Sequence, residues 1–347
     1  MSRCYDLLVV GAGPHGLAVA WAAQRRGMGV VILDRNAVVG GAWPRMWPEL
    51  RCLSRRQHDV DGDGVAPAAA GDYATAAAVA QQWQAFADRH ALPVHLGTEV
   101  TGVAAQAQRW AVATPEQTWH ARQVVLATGE MAAPRWDQLA AGTLPVGVVH
   151  VADLQQHQFV RGQRLIVVGA GNSAAQVVAA ACDLAARIDL CAQSLPSRWR
   201  SRVRLPRSLT ARLLHSNWLA PLLRRACQRQ VPLQGHDLQT AVAAGKVKLQ
   251  PRATGVCEHG VVLGDGRRLV ADLVVLCTGF RRDLACATGS GCLDETGWPL
   301  HHRGVSTRVP GLAFAGLPCA RSPQSGFLRG AVGDAVALVD ALVGAQP

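Results

Sequence analysis

The chain of 347 residues is longer than one ordinary domain of about 100 to 200 residues, and two domains are expected. Hydrophobic residues make up 49% and charged residues 17%, which excludes a disordered chain, and 35 glycines without a fixed period exclude collagen-like and repeat architectures. The net charge of +11 is concentrated between Leu190 and His236, which hold nine arginines and no acidic residue, so an anionic partner is expected: a nucleotide phosphate, a membrane surface or a nucleic acid.

In chain order, Tyr5–Val10 predicts a strand running into the turn Gly11-Ala-Gly-Pro-His-Gly16. A helix over His15–Arg26, capped by Gly27, and a strand over Gly29–Leu33 ending at Asp34 complete a βαβ unit. Residues 36–71 show no period and are expected to form a long irregular excursion. Thr75–His90 predicts a helix and Val94–Leu96 a strand; Glu99–Val112 and Thr118–Val125 predict antiparallel strands with a turn near Pro115, in a small separate sheet. A second βαβ unit follows: strand Arg164–Val168, turn Gly169-Ala-Gly-Asn-Ser-Ala174, helix Ala175–Ala186 and strand Ile188–Cys191. Strands are expected over Val247–Leu249, Gly255–Leu263 and Leu269–Leu276, and a last helix over Gly330–Val343 that returns to the first domain. The expected fold class is therefore α/β, with two Rossmann-like dinucleotide-binding domains, the second (146–281) inserted into the first (1–145 and 282–347).

No stretch approaches the roughly 20 consecutive apolar residues of a membrane span, and no signal peptide is read, so a cytoplasmic chain is expected. Ten cysteines without a Cys-x-x-Cys pair or ligand-like Cys/His spacing predict reduced thiols and no metal centre.

The first turn places Gly11, Gly13 and Gly16 where a tight bend, backbone approach to a pyrophosphate and close helix packing are needed, with Pro14 and His15 at the helix start. Asp34, about 20 residues on, suits the ribose hydroxyls of a dinucleotide, with Arg35 beside it. The second turn keeps Gly169 and Gly171 and has the small Ala174 third; Asn172 and Ser173 open its helix. Its strand end reads Ala192-Gln193-Ser194, without a carboxylate to repel a 2′-phosphate, and Arg198 and Arg200 follow, which favours NADPH over NADH. A plain glycine loop and a solvated basic loop are the structural alternatives.

Gly11-Ala-Gly-Pro-His-Gly16, Gly40-Gly-Ala-Trp43, Ala127-Thr-Gly129, Gly169-Ala-Gly-Asn-Ser-Ala174 and Cys277-Thr-Gly-Phe280 together resemble the class B flavoprotein monooxygenases, which include flavin-containing, YUCCA-type and Baeyer–Villiger enzymes. The resemblance implies FAD and NADPH as cofactors, with Gly40, Gly41 and Trp43 bordering the flavin, Thr128, Gly129, Thr278 and Gly279 at the domain crossings, and Gly316 and Gly326 in the closing flavin segment. It further implies that NADPH reduces FAD, that dioxygen forms a C4a-hydroperoxyflavin, and that one oxygen atom passes to nitrogen, sulfur or carbon of a small organic substrate. Leu144 to His150 departs from the family's F-x-G-x-x-x-H fingerprint, which disfavours oxygen insertion into a ring. His150 and Asn172 are the catalytic candidates; a structural role serves His150 equally well. Two other readings remain open: a flavin-dependent NAD(P)H reductase or oxidase, and a non-catalytic nucleotide sensor binding nucleic acid or a membrane through residues 198–229.

Overall fold

The computed structural model describes residues 4–48, 50–69, 71–106, 109–136, 138–140, 144–154, 161–195 and 238–344. Arg198, Arg200 and the rest of the basic stretch up to Arg229 lie outside the described residues.

The first unit forms as read: β1 (Cys4–Val10), α1 (Pro14–Gln24) and β2 (Val30–Leu33). β1 and β2 run parallel, from Leu7 opposite Val30 to Val10 opposite Leu33. Both faces are covered, so every β2 side chain is buried and the strand reads as an unbroken apolar run. Pro14 starts α1 because its fixed φ suits a first helical turn and it has no N–H to leave unpaired.

α2 (Ala76–Arg89) starts at Thr75, whose Oγ1 accepts from the N–H of Ala78 at 3.2 Å. Its buried Val79, Trp83 and Phe86 share one face. The Phe86 ring packs 5.2 Å from Trp83 and 6.1 Å from Trp21 of α1. After β3 (Val94–His95), the single strand expected over Glu99–Val112 is instead a hairpin of β4 (Gly102–Gln106) and β5 (Arg109–Ala113). Apolar residues occur on both sides of the reversal, so the pattern does not mark it. β5 pairs antiparallel with β6 (Thr118–Leu126), and β6 pairs parallel with β1. The hairpin is thus an extension of the main sheet, which corrects the expected separate sheet.

The chain leaves this sheet through β7 (Ala133–Pro134) and builds the second unit from β8 (Val148–His150), β9 (Arg164–Val168), α3 (Asn172–Ala181) and β10 (Arg187–Cys191). α3 begins three residues earlier and ends five earlier than expected, because Gly171 is its N-cap and the helix starts directly from the turn. α4 (Leu238–Ala243) and β11 (Lys248–Gln250) follow. The run Gly255–Leu263 is two strands, β12 (Ala253–Cys257) and β13 (Gly260–Leu263), reversing at His259 with φ +54°; the run Leu269–Leu276 is β14 (Arg268–Val270) and β15 (Leu273–Leu276). β16 (Phe280–Arg281) pairs antiparallel with β7, so the two crossings between sheets form one ribbon. β17 (His301–His302), β18 (Val305–Ser306), β19 (Leu312–Phe314) and α5 (Ala331–Gly344) then rejoin the first part.

The nine-stranded sheet has the order β17-β18-β19-β6-β1-β2-β3, with β4 and β5 attached along β6, and the five-stranded sheet β11-β10-β9-β15-β8 is parallel throughout. Leu7 and Val9 face a core with α1 and α5, while Leu8 and Val10 face the opposite core with Trp110 and Phe314. Gln123 Nε2 ties the sheet to α5 by donating to the Leu342 carbonyl at 2.9 Å. No helix among the described residues is long and apolar enough to cross a membrane. Because Trp83 is fully buried, Trp83→Ala is expected to cost about 3–5 kcal/mol in urea unfolding; a loss below about 1 kcal/mol would contradict this packing.

Candidate functional site

The two glycine turns repeat the same backbone bonds. Gly11 N–H donates to Leu33 O at 2.8 Å and Gly169 N–H to Cys191 O at 2.9 Å, while Ala127 N–H donates to Val10 O and Cys277 N–H to Val168 O, both at 2.8 Å. Gly11 (φ +110°) and Gly169 (φ +112°) sit where a Cβ would lie 2.5 Å from Ala127 O and 2.4 Å from Cys277 O. The Ala127-Thr-Gly129 and Cys277-Thr-Gly279 segments are therefore the walls against which the turns close, a role that sequence reading missed. Gly16 is closer still, since a Cβ there would lie 1.9 Å from Gly11 O. No side chain caps α1 at Gly13 or α3 at Gly171, so each helix offers its first-turn N–H groups to an anion.

A cavity of about 840 Å³ opens from the first turn. Gly11, Gly13, Pro14 and His15 line it, as do Asp34 and Arg35, the excursion residues Gly41 and Trp43, and Thr128 and Gly129. Gly316 and Gly326 complete that wall, and Asn172 and Ser173 reach it from the second unit. Gly40 lies behind, against Pro44. At Gly41 (φ +66°) a Cβ would stand 3.0 Å from the Cα of Gly13, so two bare backbones meet at the mouth of the turn.

Asp34 Oδ2 accepts from the Ala12 N–H at 2.5 Å and Oδ1 from the Asn36 N–H and Nδ2, both at 2.7 Å. The carboxylate thus braces the glycine turn as well as facing the cavity. Arg35 ties the rim together, donating to Asp283 at 3.0 Å and to the Ala132 carbonyl at 2.9 Å. The His15 ring lies under Gly316, its Nε2 buried without a hydrogen-bond partner, and burial pushes its pKa down to about 4. The bare glycine cradle, the uncapped helix end, the strand-end carboxylate and this idle ring nitrogen together fit the pyrophosphate and ribose of a dinucleotide.

A second cavity of about 400 Å³ opens beside Gly169 and Thr278 and is lined by Ala192, Gln193 and Ser194. Two arginines that sequence reading missed, Arg135 and Arg252, face it, and no carboxylate is among its described lining residues. The Thr278 hydroxyl donates to the Arg135 carbonyl, and Arg135 N–H donates to Gly279 O at 3.0 Å, so the crossing ribbon positions that arginine.

His150 lines neither cavity. It is fully buried, its Nδ1 accepts from Ala152 N–H at 3.1 Å, its Nε2 donates to Gly279 O at 3.1 Å, and its ring meets Phe280 edge-on at 5.0 Å. Burial lowers its pKa, so the ring is a neutral brace at the ribbon. Gln176 of α3 clamps the excursion by accepting from Arg51 N–H at 2.7 Å and donating to Arg51 O at 2.9 Å. On the cavity wall Cys52 and Cys286 are free thiols, whereas Cys319 is disulfide-bonded, which corrects the expected all-thiol chain; such pairing depends on spatial proximity that spacing does not reveal. No group of three metal-ligating side chains occurs among the described residues.

A family model described as "Pyridine nucleotide-disulphide oxidoreductase" matches residues 8–316. The chain is 25% identical to the "Uncharacterized oxidoreductase CzcO" of Bacillus velezensis, covering 98% of this chain and 99% of that one. It is 23% identical to the "Indole-3-pyruvate monooxygenase YUCCA4" of Oryza sativa subsp. japonica, over 80% and 74% respectively. Among solved structures it is similar to the "Flavin-containing monooxygenase from Stenotrophomonas maltophilia", with 25% identity, 99% of both chains covered and a TM-score of 0.73.

Both His15 and His150 have folded pKa values below the ordinary value of about 6.5 that holds in the unfolded chain. The unfolded state then binds more protons in acid, so the unfolding free energy of cofactor-free protein is expected to fall as pH drops from about 6.5 toward about 4. Chemical denaturation across that range checks it; the same slope in His15→Ala and His150→Asn as in the unaltered chain would contradict it.

Proposed function

The chain belongs to the pyridine nucleotide-disulphide oxidoreductase family, and on that footing we propose that it is an FAD- and NADPH-dependent monooxygenase acting on a small organic substrate at nitrogen, sulfur or carbon. One observation carries the reading: the large cavity is walled by the first glycine turn and also by Asn172 and Ser173 of the second, so ligands held on the two turns meet in one chamber. The full-length similarity to a flavin-containing monooxygenase supports it.

When bound, FAD would supply hydride acceptance and the activation of dioxygen. The turn Gly11–Gly16 and the N-terminus of α1 would hold its pyrophosphate, Asp34 a ribose, and Gly41 and Trp43 would back the ring. Gly316 and Gly326 would close the chamber ahead of α5. The Gly169–Gly171 turn would hold the nicotinamide nucleotide, and Asn172 and Ser173 of the same turn line the large cavity. Arg135 and Arg252, with no carboxylate beside them, would take the 2′-phosphate and so favour NADPH. Trp43, Met46, Leu50, Leu53 and Leu328 give the chamber an apolar wall of the kind an oxygen-transfer site needs to limit water. Hydroxylation is preferred to insertion into a ring because the His150 region lacks the fingerprint of the latter. In this reading residues 1–145 and 282–347 form the flavin part and 146–281 the nicotinamide part, in a cytoplasmic protein.

A second reading, NADPH-dependent reduction of a disulfide, is favoured by one observation, the disulfide-bonded Cys319 on the chamber wall. Labelled dioxygen supplied with NADPH to a panel of amines, sulfides and activated carbon acids separates them. The monooxygenase reading expects label in product matched to NADPH consumed; hydrogen peroxide alone with every substrate contradicts it, and NADPH-dependent appearance of free thiols supports the second reading. Losing one charged hydrogen-bond partner of a phosphate costs about 1.5–3 kcal/mol. Arg252→Ala is therefore expected to raise KM for NADPH about 10- to 100-fold with KM for NADH unchanged; equal effects on both nucleotides would remove Arg252 from the 2′-phosphate site.

A further inference from the structure

The excursion carries a buried carboxylate that the reading above does not use. Asp59 is 0% exposed, and Ser54 Oγ lies 2.7 Å from its Oδ1 and 2.8 Å from its Oδ2. Ser54, together with its neighbours Cys52 and Leu53, lines the large cavity, whereas Asp59 does not. The hydroxyl thus stands between the carboxylate and the chamber. Gln82 of α2 holds the loop in place, its Nε2 donating to the Asp59 carbonyl at 3.0 Å and to the Val65 carbonyl at 2.7 Å.

A hydroxyl has one proton to donate and a carboxylate has about four lone-pair sites, so this pair has two states. With Asp59 ionised, Ser54 commits its proton to Asp59 and offers only lone pairs to the chamber. With Asp59 protonated, the acid donates to Ser54 Oγ and the serine proton turns toward the chamber. We propose that Ser54 and Asp59 form a proton relay into the cavity, Ser54 as the catalytic residue that donates to an anionic oxygen there and Asp59 as the positioning residue behind it. The proposal rests on the monooxygenase reading, because oxygen chemistry supplies such an oxygen.

In the transfer the Ser54 O–H bond breaks as an O–H bond forms on the anionic oxygen of oxidant or substrate. The Asp59 O–H bond breaks as Ser54 regains its proton. One proton moves, no electrons do, and Asp59 is left as a carboxylate, recharged from solvent along the same path once product has left. The surroundings suit this cycle. Burial raises the Asp59 pKa against the lowering effects of Ser54, Arg329 and His58, so the acid form persists above the ordinary carboxylate range. Cys52, a further titratable neighbour, is pushed up to about 12 by burial and by Asp59, and stays a thiol.

The test uses the flavin-loaded protein and follows NADPH consumption in air against pH. The unaltered protein should show a one-proton inflection above the ordinary carboxylate range. Ser54→Ala should lose it together with about 100-fold in rate, Asp59→Asn should lose it too, and Ser54→Thr should restore it. Infrared difference spectra provide a readout independent of turnover: a carboxylic C=O band titrating at the same pH, absent in Asp59→Asn. An inflection that persists in Ser54→Ala, or no such band in the unaltered protein, overturns the relay, and should Asp59→Asn fail to fold, those two measurements decide alone. Label reaching product while the inflection persists defeats the relay but not the monooxygenase; an inflection lost without any label in product supports the relay and defeats the monooxygenase.

Discussion

The contact between a glycine α-carbon and a carbonyl at the end of a neighbouring strand governs this molecule. Where Gly11 meets Ala127 O and Gly169 meets Cys277 O there is no room for a Cβ, and the φ values near +110° suit no side chain. Each contact draws a helix N-terminus onto the carboxyl end of a parallel sheet, where open α/β sheets hold their ligands. Performed twice in one chain and joined by the β7–β16 ribbon, it brings the first turn and Asn172 and Ser173 of the second onto one large cavity. The remaining architecture serves that convergence: Gln176 locks α3 to the excursion, and α5 returns to brace α1 and the sheet.

The electrostatics divide between rim and interior. At the rim, Arg282 pairs with Glu130 and lies 4.2 Å over the Trp298 ring, and Arg35 pairs with Asp283, fastening the crossing segments. Inside, burial keeps His15 and the Cys52 and Cys286 thiols neutral, the last pushed up to about 11. Those neutral groups lie on an interior wall, while Arg35, Glu130, Arg282 and Asp283, charged side chains that line the cavity, are held in pairs at its rim.

Much of this was legible in the sequence wherever the information is local. Gly11, Gly13 and Gly16 mark the first turn, Asp34 ends the next strand, and the repeated pattern at Gly169 and Gly171 announces a second unit. The misreadings share one cause. In 99–112, 255–263 and 269–276 the breaks fall at short polar stretches, around Gln106, at Glu258-His259 and at Asp272, and a polar residue there reads equally well as an exposed position of one continuous strand. The residues that the structure adds around the two cavities were hidden for a different reason: Arg135, Arg252, Gln176 and Asp59 meet their partners or cavities far off in sequence, and nothing beside them signals it. Asn172 and Ser173 were placed at the second turn, yet they face the chamber of the first, a consequence of how the sheets are set together.

The central claim is that one chain presents a flavin and a nicotinamide nucleotide to each other across a single cavity. Anaerobic mixing of the purified, flavin-loaded protein with one equivalent of NADPH tests it most directly. The account predicts loss of the flavin's visible absorption in a single phase, slowed when the transferred hydrogen of NADPH is deuterium. Protein that binds no flavin, or flavin that stays oxidised under NADPH, would contradict it.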